Sequence, residues 1–299
     1  MNIADPVLTL ENVSIDYLAE KTVHAVRNVD LTLGRGEILG LAGESGCGKS
    51  TLAYGITRLL KPPAVISSGR MVFSGRDGIA LDLAALQGEQ LRAVRWDRIS
   101  MVFQGAMNSL NPVIDIRAQL EDVFTTHRPG MGRQERRKLA GNLLERVGVD
   151  RVRLSSYPHE LSGGMRQRVM IAMAMTLGPE VMIMDEPTTA LDVVVQREIL
   201  REITRLRAEL GFAVVFITHD LPLLLEISDR IAVMREGRIV ELGAAADVYL
   251  RPQHAYTKQL LASFPSLTGD RGQFVRGGAD TRLEELDRVR VHAEEVASR

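Results

Sequence analysis

Ile38-Leu39-Gly40-Leu41-Ala42-Gly43-Glu44-Ser45-Gly46-Cys47-Gly48-Lys49-Ser50 is the stretch on which the fold turns. Ile38 to Ala42 is a short apolar run suited to a buried strand, and a helical pattern follows from Thr51 to Leu60. Between them, Gly43 to Ser50 fits the pattern G-x-x-x-x-G-K-[ST]. Its glycines let the backbone turn tightly enough for N–H groups to surround an anion. The helix that follows points its positive end at the same place. Lys49 is expected to reach the β- and γ-phosphates of a nucleotide, and Ser50 to ligate Mg²⁺ through its hydroxyl. The pattern arises by accident in about 1% of chains this long, and chance does not set it between a strand and a helix. Cys47 lies inside the loop. It reads as a small filler residue, with redox sensing as the alternative.

Working outward, Val7 to Leu10, Val13 to Tyr17 and Val29 to Leu33 alternate as strands do, and Gly34-Arg35-Gly36 reads as a turn. Helix is expected from Ala84 to Arg98, with Leu86, Leu91 and Val94 on one side. Ile99 to Phe103 reads as a strand. A charged, mostly helical insertion runs from Asp115 to Val147, broken at Arg128-Pro129-Gly130. A long helix follows Gly163-Gly164. Val181 to Met184 and Ala213 to Ile217 are buried strands, with an amphipathic helix from Val193 to Leu210 between them, ended by Gly211. Strands alternating with helices argue an α/β fold around a largely parallel sheet. The strand signal stops after about Gly243, and the charged tail from Gly269 includes an amphipathic piece, Thr281 to Val296.

Composition narrows the class. The 299 residues carry a net charge of −1, so no general affinity for nucleic acid is expected. The single cysteine excludes an intrachain disulfide and any cysteine-based metal cluster. The longest apolar run, Val169 to Pro179, is closed by Glu180 and falls short of the ~18 residues a membrane helix needs. A chain soluble by itself is expected, with any membrane role exerted through a partner.

Acidic and polar residues end three of the apolar strands. Asp185 and Glu186 follow Val181 to Met184, and alternation along a strand gives them different tasks. Asp185 suits Mg²⁺, directly or through water, and Glu186 suits polarising a water for attack on a γ-phosphate. Gln104 follows Ile99 to Phe103, where an amide can bond Mg²⁺-bound and attacking water. His219 follows Ala213 to Ile217, within reach of a γ-phosphate. Taken singly, each of these is also an ordinary strand-end residue.

Leu161-Ser162-Gly163-Gly164-Met165-Arg166-Gln167-Arg168 supplies a second anion site, a serine and two glycines at a helix start. It resembles the LSGGQ signature of ABC (ATP-binding cassette) ATPases, with Met165 in place of the usual Gln. The order of phosphate loop, Gln104, signature, Asp185-Glu186, Ala190-Leu191-Asp192 and His219 resembles that family over residues 8 to 240. The resemblance implies a P-loop NTPase core with a mainly parallel sheet, an N-terminal antiparallel β subdomain and a helical signature subdomain at about 105–165. Residues 1–250 would form this nucleotide-binding domain and 251–299 a partly flexible extension. It implies ATP and Mg²⁺ as cofactors. ATP would be held by Gly43, Ser45, Gly46, Cys47, Gly48, Lys49, Ser50 and Thr51, with Tyr17 stacked on adenine; a plain strand aromatic is the alternative for Tyr17. Mg²⁺ would be held by Ser50, Gln104 and Asp185, and catalysis would fall to Glu186, His219 and Gln104. Ser162, Gly163 and Gly164 would bind the γ-phosphate held by a second cassette, with Asp192 organising the interface.

Gly105-Ala106-Met107-Asn108-Ser109-Leu110-Asn111-Pro112, the Met-Arg-Gln-Arg form of the signature, and Gln253-His254-Ala255-Tyr256-Thr257-Lys258 are similar to the oligopeptide/dipeptide importer group, which also serves oligosaccharides and nickel. The C-terminal cysteine cluster of many members is missing. The group's partners are a second ABC ATPase, commonly a distinct homologue, two transmembrane permease subunits and, indirectly, an extracellular solute-binding protein. The expected location is the cytoplasmic face of the cell membrane. A soluble ABC ATPase acting on nucleic acid or ribosomes is the rival reading. It is disfavoured by a single cassette with no heptad run between Lys49 and Ser162.

Overall fold

The computed structural model describes residues 5–189 and 191–263. Its strands and helices in chain order are β1 (Pro6–Tyr17), β2 (Val23–Gly34), β3 (Ile38–Ala42), α1 (Lys49–Ile56), β4 (Ala64–Ser74), β5 (Ala80–Asp82), α2 (Gly88–Val94), β6 (Ile99–Val102), α3 (Ile116–His127), α4 (Arg133–Arg146), α5 (Gly163–Ala174), β7 (Val181–Asp185), α6 (Val193–Leu210), β8 (Ala213–Ile217), α7 (Leu221–Ile227), β9 (Arg230–Arg235), β10 (Arg238–Ala244), α8 (Ala245–Leu250) and α9 (Ala255–Ala262).

Two sheets carry the architecture. An antiparallel sheet runs β2-β1-β4-β5, and a six-stranded sheet runs β10-β9-β3-β8-β7-β6. In the second, all neighbours pair in parallel except β9 with β10. Each parallel strand is buried on both faces, which is why it reads as a continuous apolar run. Alternation still sorts the side chains. Ile38, Val102, Met182, Met184, Val214 and Phe216 face one cluster, packed with the helices from α3 to α9. Leu39, Leu41, Met101, Ile183, Val215 and Ile217 face a second cluster, shared with α1 and the antiparallel sheet. Strands β3, β6, β7 and β8 all point one way, so their C-terminal ends deliver residues 43–50, Gln104, Asp185-Glu186 and His219 to one edge, the usual ligand edge of such a sheet.

Glu180 ties the layers together at the opposite edge. Its carboxylate accepts from Arg35 of the β2–β3 turn at 2.7 Å, from Arg98 at 3.1 Å and from the Arg76 backbone N–H at 2.9 Å. Arg98 continues to Asp77 and Asp97, and Asp97 to Arg128 at the end of α3.

Several expectations change. Helix does not fill 84–98. Asp82 accepts from the Ala84 N–H and turns the chain, and the helical path ends where Arg95 turns extended (ψ 137°) ahead of Trp96 at φ 67°, leaving only α2. Helix α1 stops at Ile56 rather than Leu60, because Arg58 at φ 56° leaves the helical region. Strand β4 had no period-two signal in Ser67-Ser68-Gly69-Arg70, yet pairs along β1. Within the 251–299 extension, the described residues 251–263 carry α9, in which Tyr256 and Thr257 are buried. Thr281 to Val296 lies outside the described residues.

Candidate active site

The loop from Gly43 to Gly48 leaves the buried β3 and enters α1. Its shape depends on two glycines. Gly43 at φ 147° packs so closely that a Cβ would lie 2.2 Å from the Met234 carbonyl, and a Cβ on Gly48, at φ 108°, would lie 2.3 Å from the Ala25 carbonyl. The loop is therefore pressed against β9 and β2, and the Gly237 N–H donates to the Cys47 carbonyl at 3.0 Å. Lys49 is buried, and its Nζ donates to the carbonyls of Gly43 (2.7 Å) and Glu44 (2.8 Å). An ammonium inside a cup of backbone amides at a helix start is a seat for an anion. Ser45 and Gly46 form the exposed rim, and Cys47 is buried with its Sγ 3.7 Å from Nζ. Tyr17 is joined to the same helix, its hydroxyl 3.3 Å from Thr51 Oγ1.

Ser50 faces the end of β7, where its hydroxyl donates to Asp185 Oδ1 at 3.1 Å. Burial pushes the Asp185 carboxyl up and the Glu186 charge adds to this, outweighing the Ser50 hydrogen bond and the Lys49 charge. Asp185 Oδ2 is buried with no hydrogen-bond partner. A hydroxyl beside a carboxylate with one orphaned oxygen is a donor set suited to Mg²⁺, a cation that takes oxygen ligands. Asp185→Asn keeps the acceptor for Ser50 and removes a costly buried charge. The metal-free chain should then melt no lower than the unaltered one, while ATP binding loses its Mg²⁺ dependence; thermal melts and nucleotide titrations with and without Mg²⁺ check this.

Glu186 leaves the strand at φ 45°, a conformation costly for a non-glycine residue and found where a site over-determines it. Its N–H still reaches the Ile217 carbonyl at 2.9 Å, so the side chain is swung off the strand axis. Gln104 Nε2 donates to Glu186 Oε2 at 2.9 Å, Thr189 Oγ1 donates to the same oxygen at 3.1 Å, and His219 Nδ1 lies 3.1 Å from Oε1. Gln104, Glu186 and His219 thus converge, and Glu186 is oriented from three sides next to the Ser50–Asp185 pair. Such an arrangement can hold a water and accept its proton.

The remaining motif residues form a separate locus. Ser162 caps α5, accepting from the Met165 N–H at 3.3 Å, and Gly163 and Gly164 open that helix. Asp192 caps α6 through the Val195 N–H at 3.0 Å. The two caps adjoin, because a Cβ on Gly164 would lie 2.7 Å from Val195 Cγ1. Among the described residues no hydrogen bond joins this locus to residues 43–51. Beside it Val193 and Val194 are exposed.

Three comparisons fix the class. The model of the ABC transporter family matches residues 26–189, a span holding the phosphate loop, the signature and Asp185-Glu186. The chain belongs to the ABC transporter family. Among relatives, a Brucella abortus (strain 2308) protein assigned as a peptide import ATP-binding protein is 43% identical over 91% of this chain and 81% of its own. The glutathione import ATP-binding protein GsiA of Escherichia coli (strain K12) is 41% identical over 90% of this chain, which spans only 44% of that protein. Among solved structures, the ATP-binding cassette MJ0796, in a dimeric post-hydrolysis state with ADP and Pi, is 30% identical with a TM-score of 0.68, covering 80% of this chain and 98% of its own. The expected α/β cassette fold and ATPase class both hold for this ABC chain.

Thr189, which the structure sets on Glu186, carries no motif signal in the sequence, and Tyr256 stands there only within a stretch that marks the subfamily. No local pattern singles out either contact. Tyr256 meets the phosphate loop across 212 residues of chain.

Proposed function

We propose that this ABC cassette is the ATP-hydrolysing subunit of a membrane importer for peptides or related solutes, working at the cytoplasmic face. The observation that carries the hydrolytic part is Glu186 gripped by Gln104, Thr189 and His219 beside Lys49 and the Ser50–Asp185 pair. In this reading Lys49 exchanges its two loop carbonyls for the β- and γ-phosphates. Ser50 and Asp185, with Gln104, hold Mg²⁺, which when bound offsets charge on those phosphates. Glu186 takes the proton of the attacking water, Gln104 orients that water, and His219 steadies the γ-phosphate. Tyr17 stacks on adenine.

The signature locus lies apart from the phosphate loop within one chain, so Ser162, Gly163, Gly164 and Asp192 serve a second cassette that faces this one, a distinct homologue. The dimeric MJ0796 supports the pairing of two cassettes, though not the identity of the second, and the exposed Val193 and Val194 suit burial between them. No helix among the described residues is long and apolar enough to cross a membrane. In this reading the transport path is supplied by two permease subunits, fed by an extracellular solute-binding protein. Val113, Ile114, Val152 and Tyr157 are exposed on the helical part, and Val152 lines a cavity of about 520 Å³ with Arg117, Arg137, Lys138 and Arg151. That combination fits a permease loop with apolar and acidic side chains. The import of peptides is supported by the names of the relatives.

Two measurements test the reading. The chain should co-isolate with two permease proteins, and the double change Arg137→Glu with Lys138→Glu should weaken that association several-fold while leaving nucleotide binding by the isolated chain unchanged. Uptake of labelled peptide against labelled oligosaccharide decides the cargo. Co-isolation with ribosomes instead would overturn the importer reading.

A further inference from the structure

The Glu44 peptide is gripped at both ends. Lys49 Nζ takes its carbonyl at 2.8 Å, and its N–H donates to the hydroxyl of Tyr256 at 3.1 Å. These two contacts differ in kind. The lysine must leave the carbonyl if it is to reach a phosphate, whereas the tyrosine comes from outside the loop and has no competing anion to serve.

Tyr256 is itself firmly placed. It is 3% exposed, and the Arg235 guanidinium of β9 lies 4.9 Å over its ring. Its helix, α9, is anchored at the start by Glu241 of β10, whose carboxylate accepts the N–H groups of Gln253 at 2.8 Å and His254 at 3.0 Å. The His254 ring accepts the Tyr256 N–H at 3.1 Å, and Thr257 is wholly buried. Burial opposes ionisation of Glu241, but the Gln253 and His254 backbone donors, with the Thr257 hydroxyl and the His254 ring, together outweigh it and hold the carboxyl below its usual range. A clamp on β10 thus aims one phenol at the first peptide after Gly43, while Arg235 holds the ring from β9.

We infer that Tyr256 is a positioning residue for the phosphate loop: its hydroxyl holds the Glu44 peptide in place while Lys49 moves from the loop carbonyls to the nucleotide. The inference rests on reading residues 43–50 as the ATP seat. It makes α9 part of the nucleotide site, and it gives the Glu241–His254 clamp a task beyond packing.

The test uses the full chain with Tyr256→Phe, which keeps the ring and its contact with Arg235 and removes the acceptor. ATP affinity should fall by about threefold to tenfold, the scale of one hydrogen bond, with the melting temperature of the nucleotide-free chain lowered by no more than about 4 °C. The Glu44 amide should exchange hydrogen faster, while core amides of β3 keep their protection. Glu241→Ala, which loosens the clamp but spares the phenol, should move affinity in the same direction. Lys49→Ala separates this idea from the reading beneath it. If Lys49→Ala loses ATP and Tyr256→Phe binds normally, Tyr256 has no positioning role. If Lys49→Ala also binds normally, the loop is not the ATP seat and both fall. An affinity loss in Tyr256→Phe that only tracks a lower melting temperature, with Glu44 exchange unchanged, would also overturn the positioning role.

Discussion

Glu186→Gln should bind ATP as the unaltered chain does and turn it over on the order of 10²-fold or more slower, the scale of a general base. Glutamine has nearly the same shape and still offers an oxygen to Gln104 Nε2 and Thr189 Oγ1, now 2.9 and 3.1 Å from Glu186 Oε2. What it lacks is a basic oxygen to take the proton of water. Binding should survive because the seat for phosphate is built from Lys49, Ser50 and the loop amides, none of which donates to Glu186 among the hydrogen bonds described. The readout is phosphate release by the assembled transporter, with ATP binding titrated on the isolated chain. Turnover at the unaltered rate would remove Glu186 from the role of base. Loss of binding along with turnover would mean that its contacts with Gln104 and His219 hold the site together rather than run the chemistry.

Glu180→Ala should cost about 3–5 kcal/mol of stability, the range for deleting one partner of a buried charge cluster. Glu180 has 8% of its side chain exposed, and Arg35 and Arg98 both point at it. Removing it takes the shared carboxylate from both guanidinium groups, leaving Arg35 with Asp5 and Arg98 with Asp77 and Asp97, and frees the Arg76 N–H as well. The joint concerned links β2, the β4–β5 turn and the starts of β6 and β7, so the antiparallel and parallel sheets should separate more readily. Glu180→Gln, which keeps an acceptor but no charge, should fall between the two. Urea unfolding of the three chains checks the order; a loss below about 1 kcal/mol would mean the pairs behave as exposed ones.

These two sites differ in how far the sequence announces them. Glu186 follows four apolar residues and an aspartate, downstream of a phosphate loop, and its candidacy needs no coordinates. Glu180 sits six residues earlier in the chain and reads only as the acid that closes an apolar run. Its three partners are supplied by segments up to 145 residues away. The strands followed the same division. Runs buried on both faces, such as Val181–Asp185, were plain in composition, whereas β4 carries Ser67-Ser68-Gly69-Arg70 and owes its strand state to pairing with β1. Conformational breaks were hidden for a related reason. Arg58 and Trp96 take positive φ without being glycine, so no residue type marked where the helical paths stop.

By itself the sequence determined the phosphate loop, the buried strands that carry the acids, the serine and two glycines that open a helix after Leu161, and hence the family. Each of these is a contiguous pattern whose physics is local: a turn that requires glycine, a cap that accepts an N–H three residues on, an apolar run that must be buried. Only the tertiary structure decided that Gln104, Glu186 and His219 share one cluster, that the signature stands apart from the loop, that Glu180 binds the sheets together, and that Tyr256 reaches Glu44. Those contacts join residues that lie far apart in the chain, and a side chain's partner across such a distance is set by how the sheets stack and where each strand ends, which no local pattern encodes.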